Sequence, residues 1–437
     1  MRRMGAVLLG AALTGAVGAG VAWSQEAGPG VYAAMREAGE ARVVVFLLPP
    51  DPQPGKRDGV RSQIASLKHD VLFDIPPSEF TVTHEWQNLS ALAGVLRPEG
   101  LLKLLSDPRV LRIDVDVPGA MATAESSPVI RATDLQARGI TGAGVKVAVL
   151  DTGVDTQHPD LSDDLIDQQC FCTNADGSGC CPNGATSQSG PGAAEDAQGH
   201  GTNVAGIITG RGGIAPRGIA PDAKLIAVRV LDAQGTASGT AQVLSALDWI
   251  MTAHPDTRAV NLSLVYNPFP GTCDNAASFA QAFAQAIGRM RSMGMLVFAS
   301  AGNSGLVGQI GLPACISSAV AVGATYDANV GSISFGCSDP TTDTDQVACF
   351  SNSSSAVDLL APGAAITSTG MGGGIVTFIG TSQASPHAAA VAALLFQANP
   401  GLTPDAVEAL MKNTGYPVTD PKSGIATPRI DAAAAAQ

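Results

Sequence analysis

The chain has 437 residues, with 50 glycines, 28 prolines, few aromatics and a formal charge of -13. That length leaves room for two or three domains and a large core, and the turn-rich, mixed composition excludes coiled coil and disorder. Residues 1–120 hold 12 Lys+Arg against 13 Asp+Glu and residues 121–437 hold 13 against 25, so the long C-terminal part disfavours nucleic acid and anionic membrane as partners.

The chain opens with MRRMGAVLLGAALTGAVGAGVAWS (1–24). Two arginines precede a small apolar segment that ends in small residues. This is the shape of a secretory signal peptide cleaved after Ala22 or Ser24, and it places the mature protein outside a bacterial cell. A retained membrane anchor is the competing reading of the same segment. No later stretch reads as a span, so no stable membrane anchor is expected. Residues 41–117 have the pattern of a small α+β unit. RVVVFLL (42–48), FTVTHEW (80–86), LSALAGVLR (89–97) and RVLRIDVDV (109–117) read as strands, and RSQIASLKHDVLF (61–73) and PEGLLKLLSD (98–107) as helices. The order strand–helix–strand–strand–helix–strand closes as a ferredoxin-like sheet covered by two helices. A linker of small residues follows at 118–127.

The texture changes over 128–430. VKVAVLD (145–151), KLIAVRVLD (224–232), AVNLSL (259–264), MLVFASAGN (295–303) and SSAVAVGAT (317–325) are short apolar runs. Between them lie the helical patterns TAQVLSALDWIM (240–251) and SFAQAFAQAIGRMRSM (278–293). Strands separated by helices of this length predict an α/β fold in three layers, a mainly parallel sheet covered on both faces. A helix from Ser382 is apolar nearly all round and is expected to be buried, with Pro386 near its first turn. PDAVEALMKNT (404–414) has Thr403 as N-cap and Pro404 at its first position, and the DAAAAAQ tail is expected to fray. Eight cysteines, an even number in an exported chain, predict disulfides. Cys337 with Cys349 is a local candidate pair and the other pairings stay open. The C-x-C and adjacent-Cys spacing of residues 170–181 is a poor match to zinc.

Parallel sheets collect their chemistry at the carboxyl ends of the strands. VKVAVLD ends in Asp151 and MLVFASAGN in Asn303, while GHGTNVAG (199–206) and GTSQASPH (380–387) carry His200 and Ser382. Singly, each has a bland reading: a cap, a turn, a structural histidine. Together they supply the parts of acyl transfer. Serine needs a base to take its proton, histidine titrates in the right range, a carboxylate orients it, and a side-chain amide can stabilise the oxyanion beside the Ser382 backbone amide.

The segments VAVLDTGVDTQHPDL (147–161), GHGTNVAGIITG (199–210), NLSL (261–264), SAGNSG (300–305), APG (361–363) and GTSQASPHAAAVAALL (380–395) resemble the subtilisin-like serine proteases, in that family's order, over roughly residues 130–416. The resemblance implies a secreted endopeptidase acting on polypeptides through an acyl-enzyme. Asp151 is then the orienting acid, His200 the base, Ser382 the nucleophile and Asn303 the oxyanion donor. It also makes 41–117 an inhibitor-type propeptide and folding assistant, 118–127 the self-processing region, and His387 a buried structural residue. Ser263, Leu264, Val265, Ser300, Ala301 and Gly302 would line the pocket for the residue before the scissile bond. No cofactor is implied for the chemistry, but a structural calcium is, with Asp160 as ligand candidate beside Asp163 and Asp164. A monomer is the default.

The chain departs from the resemblance at Val265 and Tyr266, where relatives commonly have glycines, and at Asn203, where they commonly have histidine. Val265 and Tyr266 either narrow the cleft or pack beneath it. Two other functions compete with a general protease: an enzyme restricted to its own propeptide or a few targets, and a non-catalytic binding module on the same scaffold.

Overall fold

The computed structural model describes residues 26–50, 57–116, 119–121 and 127–437. The leader expected over 1–24 and most of the 118–127 linker lie outside the described residues.

The N-terminal sheet is built from β1 (Ala41–Leu47), β2 (Phe80–Glu85), β3 (Ala91–Leu96) and β4 (Val110–Val115), with α1 (Arg57–Leu72) and α2 (Pro98–Ser106) between them. Its order is β4-β1-β3-β2, all antiparallel, and the short strand Glu26–Ala27 adds at the β4 edge. A helix over Pro29–Ala38, unmarked by any side-chain cap, was not read from the sequence. The unbroken apolar run of β1 follows from burial on both faces. Val43, Val45 and Leu47 pack with Leu101 and Leu104 of α2, while Val44 and Phe46 point the other way into the core of the larger domain.

β5 (Gly119–Met121) is the last piece before the larger domain. That domain holds a ten-stranded sheet. Its central strands are β6 (Lys146–Asp151), β7 (Leu165–Phe171), β8 (Lys224–Arg229), β10 (Ala259–Leu262), β12 (Leu296–Ser300), β13 (Val320–Thr325) and β14 (Leu359–Pro362). In space they run β14-β13-β12-β10-β6-β8-β7, all parallel. Antiparallel pairing is confined to the edges, at Ser187–Ser189 and Tyr416–Thr419. Two further short strands, β9 (Thr236–Ala237) and β11 (Leu264–Val265), leave the sheet to flank β5.

Helices cover both faces. α3 (His200–Thr209) and α6 (Thr381–Ala398) lie on one, α4 (Ala241–Ala253) and α5 (Ser278–Ser292) on the other, each with its own apolar core. The three layers expected from the sequence are therefore present. Val44 and Phe46 of the N-terminal sheet, with Trp86 and Leu89 from the loop between β2 and β3, complete the core on the α4–α5 side.

Two local expectations need correcting. Pro386 is not in the first turn of its helix, because α6 starts at Thr381 and Pro386 is its sixth residue. The C-terminal alanines do not fray. Asp431 caps a short helix over Ala432–Ala435 through the Ala434 amide and forms a forked ion pair with Arg131, and Ala432, Ala433 and Ala435 are buried. All eight cysteines are paired, as Cys170–Cys181, Cys172–Cys180, Cys273–Cys315 and Cys337–Cys349.

Candidate active site

From β6 the chain passes to β7 and returns to β8 on one side, then crosses to β10 and runs outward on the other, so the sheet has a switch point at β6. Open α/β sheets form their crevice there, beyond the strand ends. Asp151 is the last residue of β6 and is fully buried. Its Oδ1 sits 2.6 Å from His200 Nδ1 and accepts the Thr152 amide at 2.7 Å. The close approach depends on Gly201, because a Cβ there would lie 2.0 Å from the Gly153 carbonyl oxygen.

His200 opens α3, and Asp196 holds that end. The Asp196 carboxylate accepts the amides of Gln198, Gly199 and Thr202, each at 3.0 Å, and the Thr202 hydroxyl at 2.5 Å. Burial pushes its carboxyl up, but the hydrogen bonds from Thr202, Gly199, Gln198 and Thr152 outweigh that and hold it below the usual carboxylate range. Sequence reasoning missed Asp196. Its signal is an Asp four residues before the helix's first residue, reaching amides of the first turn that Gly199, the N-cap, cannot serve.

Ser382 is the second residue of α6, whose N-cap is Gly380. The orphan amide of Thr381 is capped from elsewhere: Asn303 Oδ1 accepts it at 2.8 Å and the Thr381 hydroxyl at 2.9 Å. That leaves the Asn303 amide nitrogen, buried and with no partner. It is a fixed donor beside the Ser382 helix start, the chemistry an oxyanion requires. The Ser382 hydroxyl donates to the Ser263 carbonyl at 2.9 Å and lies 3.4 Å from the Ser300 hydroxyl. The starts of α3 and α6 are joined by Gln383, whose amide donates to Asn203 Oδ1 at 2.9 Å.

β5 lies antiparallel between β9 and β11. Met121 pairs with Leu264, and Ala120 with Val265 on one side and Thr236 on the other. The groove beside Ser263 thus takes an extended strand of the chain itself.

The subtilase family model matches residues 142–430, most of the chain. The chain belongs to the subtilase family. It is a serine endopeptidase. This subtilase is 35% identical to M-protease of Shouchella clausii (strain KSM-K16) over 79% of each chain, and 33% identical to alkaline elastase YaB of Bacillus sp. (strain YaB) over 82% of its own length and 80% of the relative's. A solved cold-adapted subtilisin-like serine proteinase superposes with a TM-score of 0.50 at 29% identity, covering 67% of this chain and 89% of that one.

The remaining predicted residues divide by position. Ser263, Leu264, Ser300 and Ala301 are fully buried, and Gly302 donates its amide to the Thr381 hydroxyl at 3.0 Å. Tyr266 packs beneath the cleft, its hydroxyl on the Gly239 carbonyl and its ring against Phe283. Val265 is half-buried at the groove. Asn203 is a strut between helices, and His387 is buried with Nδ1 2.7 Å from the Gln383 carbonyl.

Asp160 does not fit calcium. Its two carboxylate oxygens accept the amides of Gly213, Ile214 and Ala215, all at 2.8 Å, so N–H donors face it where a cation needs oxygens. Asp164 is bridged by Arg211 and Lys224, and Asp163 by Arg211. Among the described residues no cluster of three or more His, Cys, Asp or Glu is placed to hold a metal, and no helix is long and apolar enough to cross a membrane.

Proposed function

We propose that this subtilase is exported as a self-processing precursor in which Ser382 is the nucleophile, His200 the general base and then acid, and Asp151 the group that fixes the imidazole tautomer. Asn303 donates to the oxyanion together with the Ser382 backbone amide. The buried Asp151–His200 pair at 2.6 Å and the unpartnered Asn303 nitrogen support these roles. Water activated by His200 then hydrolyses the acyl-enzyme.

In this reading the 41–117 unit is a ferredoxin-like propeptide that inhibits the enzyme in cis. Its order, β4-β1-β3-β2 with two helices, supports the fold assignment. Its contacts support the inhibitory role. Trp86 donates to Ser245 at 2.9 Å, the amides of Gln87 and Asn88 both donate to Asp248 at 2.7 Å, and Ser90 donates to Gln285. Asp114 accepts the Ser278 amide at the start of α5, and Asp116 accepts the Thr240 hydroxyl and amide at the start of α4.

The observation that carries the proposal is β5, seated as a third strand between β9 and β11. Its last residue, Met121, pairs with Leu264, the neighbour of Ser263, whose carbonyl accepts the Ser382 hydroxyl. The bond offered for self-cleavage is then Ala122–Thr123, inside the expected 118–127 region. The test is intact mass and N-terminal sequence of purified precursor, wild type beside Ser382→Ala. Wild type starting at Thr123 with an uncut variant supports the proposal. Two uncut precursors, or two cut alike, overturn it. Hydrolysis of unfolded casein separates a general endopeptidase from one restricted to its own precursor.

A further inference from the structure

We infer that Val265 sets the primary specificity of this enzyme, closing the pocket for the residue before the scissile bond to all but small side chains of the alanine class. The inference rests on the docking of substrate as a strand beside β11. Residues directly paired in an antiparallel ladder share a face, and residues two apart on one strand share it too. A substrate residue opposite Ser263 therefore extends its side chain to the face that carries Ser263 and Val265.

On that face the space below β11 is bounded by two bare stretches of backbone. Gly302 follows Ser300 and Ala301 out of β12, and the Gly311 amide donates to the Ala301 carbonyl at 2.9 Å. The Val265 isopropyl group stands against the Gly311 backbone, while the Asn352 side chain covers Gly302. A Cβ added at Gly311 would stand 3.1 Å from Val265 Cβ and 3.2 Å from its Cγ1, and one at Gly302 would stand 3.9 Å from Cγ1. Val265 is thus in packing contact with the floor and close to the far wall, yet half-exposed to the groove. Its neighbour Leu264 is fully buried and Tyr266 is tethered below by Gly239 and Leu312, so β11 cannot slide aside to admit a larger group.

The experiment is a set of fluorogenic peptides of at least four residues before the cleaved bond, identical except for Gly, Ala, Leu or Phe at its acyl side. They are cleaved by the mature wild type and by Val265→Gly and Val265→Ala. Since one methylene in an apolar pocket changes kcat/KM by about 10- to 200-fold, wild type should prefer Ala to Leu and Phe by at least about tenfold. Relative to Ala, Val265→Gly should raise kcat/KM for Leu and Phe by about tenfold or more, with Val265→Ala between. Wild type that cleaves after Leu or Phe as fast as after Ala overturns the inference, as does an Ala-to-Phe ratio unmoved in both variants. Removing the third and fourth residues before the bond tests strand docking separately. Undiminished kcat/KM on the shortened peptides would sink the docking reading, and an unmoved ratio with length-dependent rates sinks the pocket assignment alone.

Discussion

Ser263 and Ser382 exchange hydrogen bonds in both directions. The Ser382 hydroxyl donates to the Ser263 carbonyl at 2.9 Å, and the Ser263 hydroxyl donates to the Ser382 carbonyl. The second bond answers a defect in α6. A helical carbonyl accepts from the amide four residues on, and for Ser382 that residue is Pro386, which has no N–H. Ser263 fills the gap and so locks the Ser382 backbone to the segment that leads into β11, the strand that pairs with β5.

Ser263→Ala should therefore leave the buried Ser382 carbonyl unsatisfied and cost about 1–3 kcal/mol of stability, with a fall in kcat. Pro386→Ala restores the missing donor. A double-mutant cycle in denaturant should show the pair costing less than the sum of the singles. Strict additivity would mean that Ser263 does not stand in for the Pro386 amide.

Asp196 holds the amides around His200 without touching the histidine ring. Its folded carboxyl lies below the unfolded one, near 3.9 for a free Asp. Such a group contributes stability that is fully present above the unfolded value and is lost as pH falls through the folded one. Asp196→Asn should lower the stability of the Ser382→Ala protein by about 1–3 kcal/mol at neutral pH. The gap to the parent should close in acid, below the ordinary carboxylate range. Thermal midpoints from pH 7 to pH 2 check this, and a constant gap would show that the carboxylate charge is irrelevant.

Asn303 accepts with its oxygen, and its nitrogen is buried with no partner, the donor that the proposed oxyanion role requires. Asn303→Asp keeps the acceptor for Thr381 and replaces the donor with an anionic oxygen that repels an oxyanion, so its effect is an upper bound on the contribution of the nitrogen. Loss of one oxyanion donor lowers kcat by about 10²- to 10³-fold, and KM should move little because the interaction is made in the transition state. A variant that instead raises KM at unchanged kcat would assign Asn303 to substrate binding.

The parts of this site that depend on chain pattern were legible in the sequence. Buried parallel strands read as apolar runs, and Asp151 and Asn303 stood at or just past their ends. Contacts that depend on loop geometry were not. Asp196 reaches three amides through a turn, and nothing in its spacing separates it from the other aspartates of an acidic chain. The strand β7, LIDQQCF, has mixed burial near the sheet edge and so lacks an apolar run. The alanine tail has no periodicity to show a buried face. Val265 and Tyr266 looked alike as added bulk, yet one lines the groove and the other lies under it, a difference set by the turn of β11 out of the sheet.

Asp114 and Asp116 lie two residues apart at and just past the end of β4, and each closes the start of a different helix of the catalytic domain. Carboxylates at helix starts satisfy orphan amides and oppose the helix dipole. If the precursor cleaves itself as proposed, these contacts, with those to Ser245, Asp248 and Gln285, are what would retain the N-terminal unit. Hydrogen bonds to a charged group contribute about 1.5–3 kcal/mol each, so Asp116→Ala alone should weaken retention by about tenfold or more. In full-length protein, gel analysis should show cleavage at the wild-type rate while activity on peptide appears with a shorter lag. Slower cleavage with an unchanged lag would mean that Asp116 serves folding of the precursor and not its inhibition.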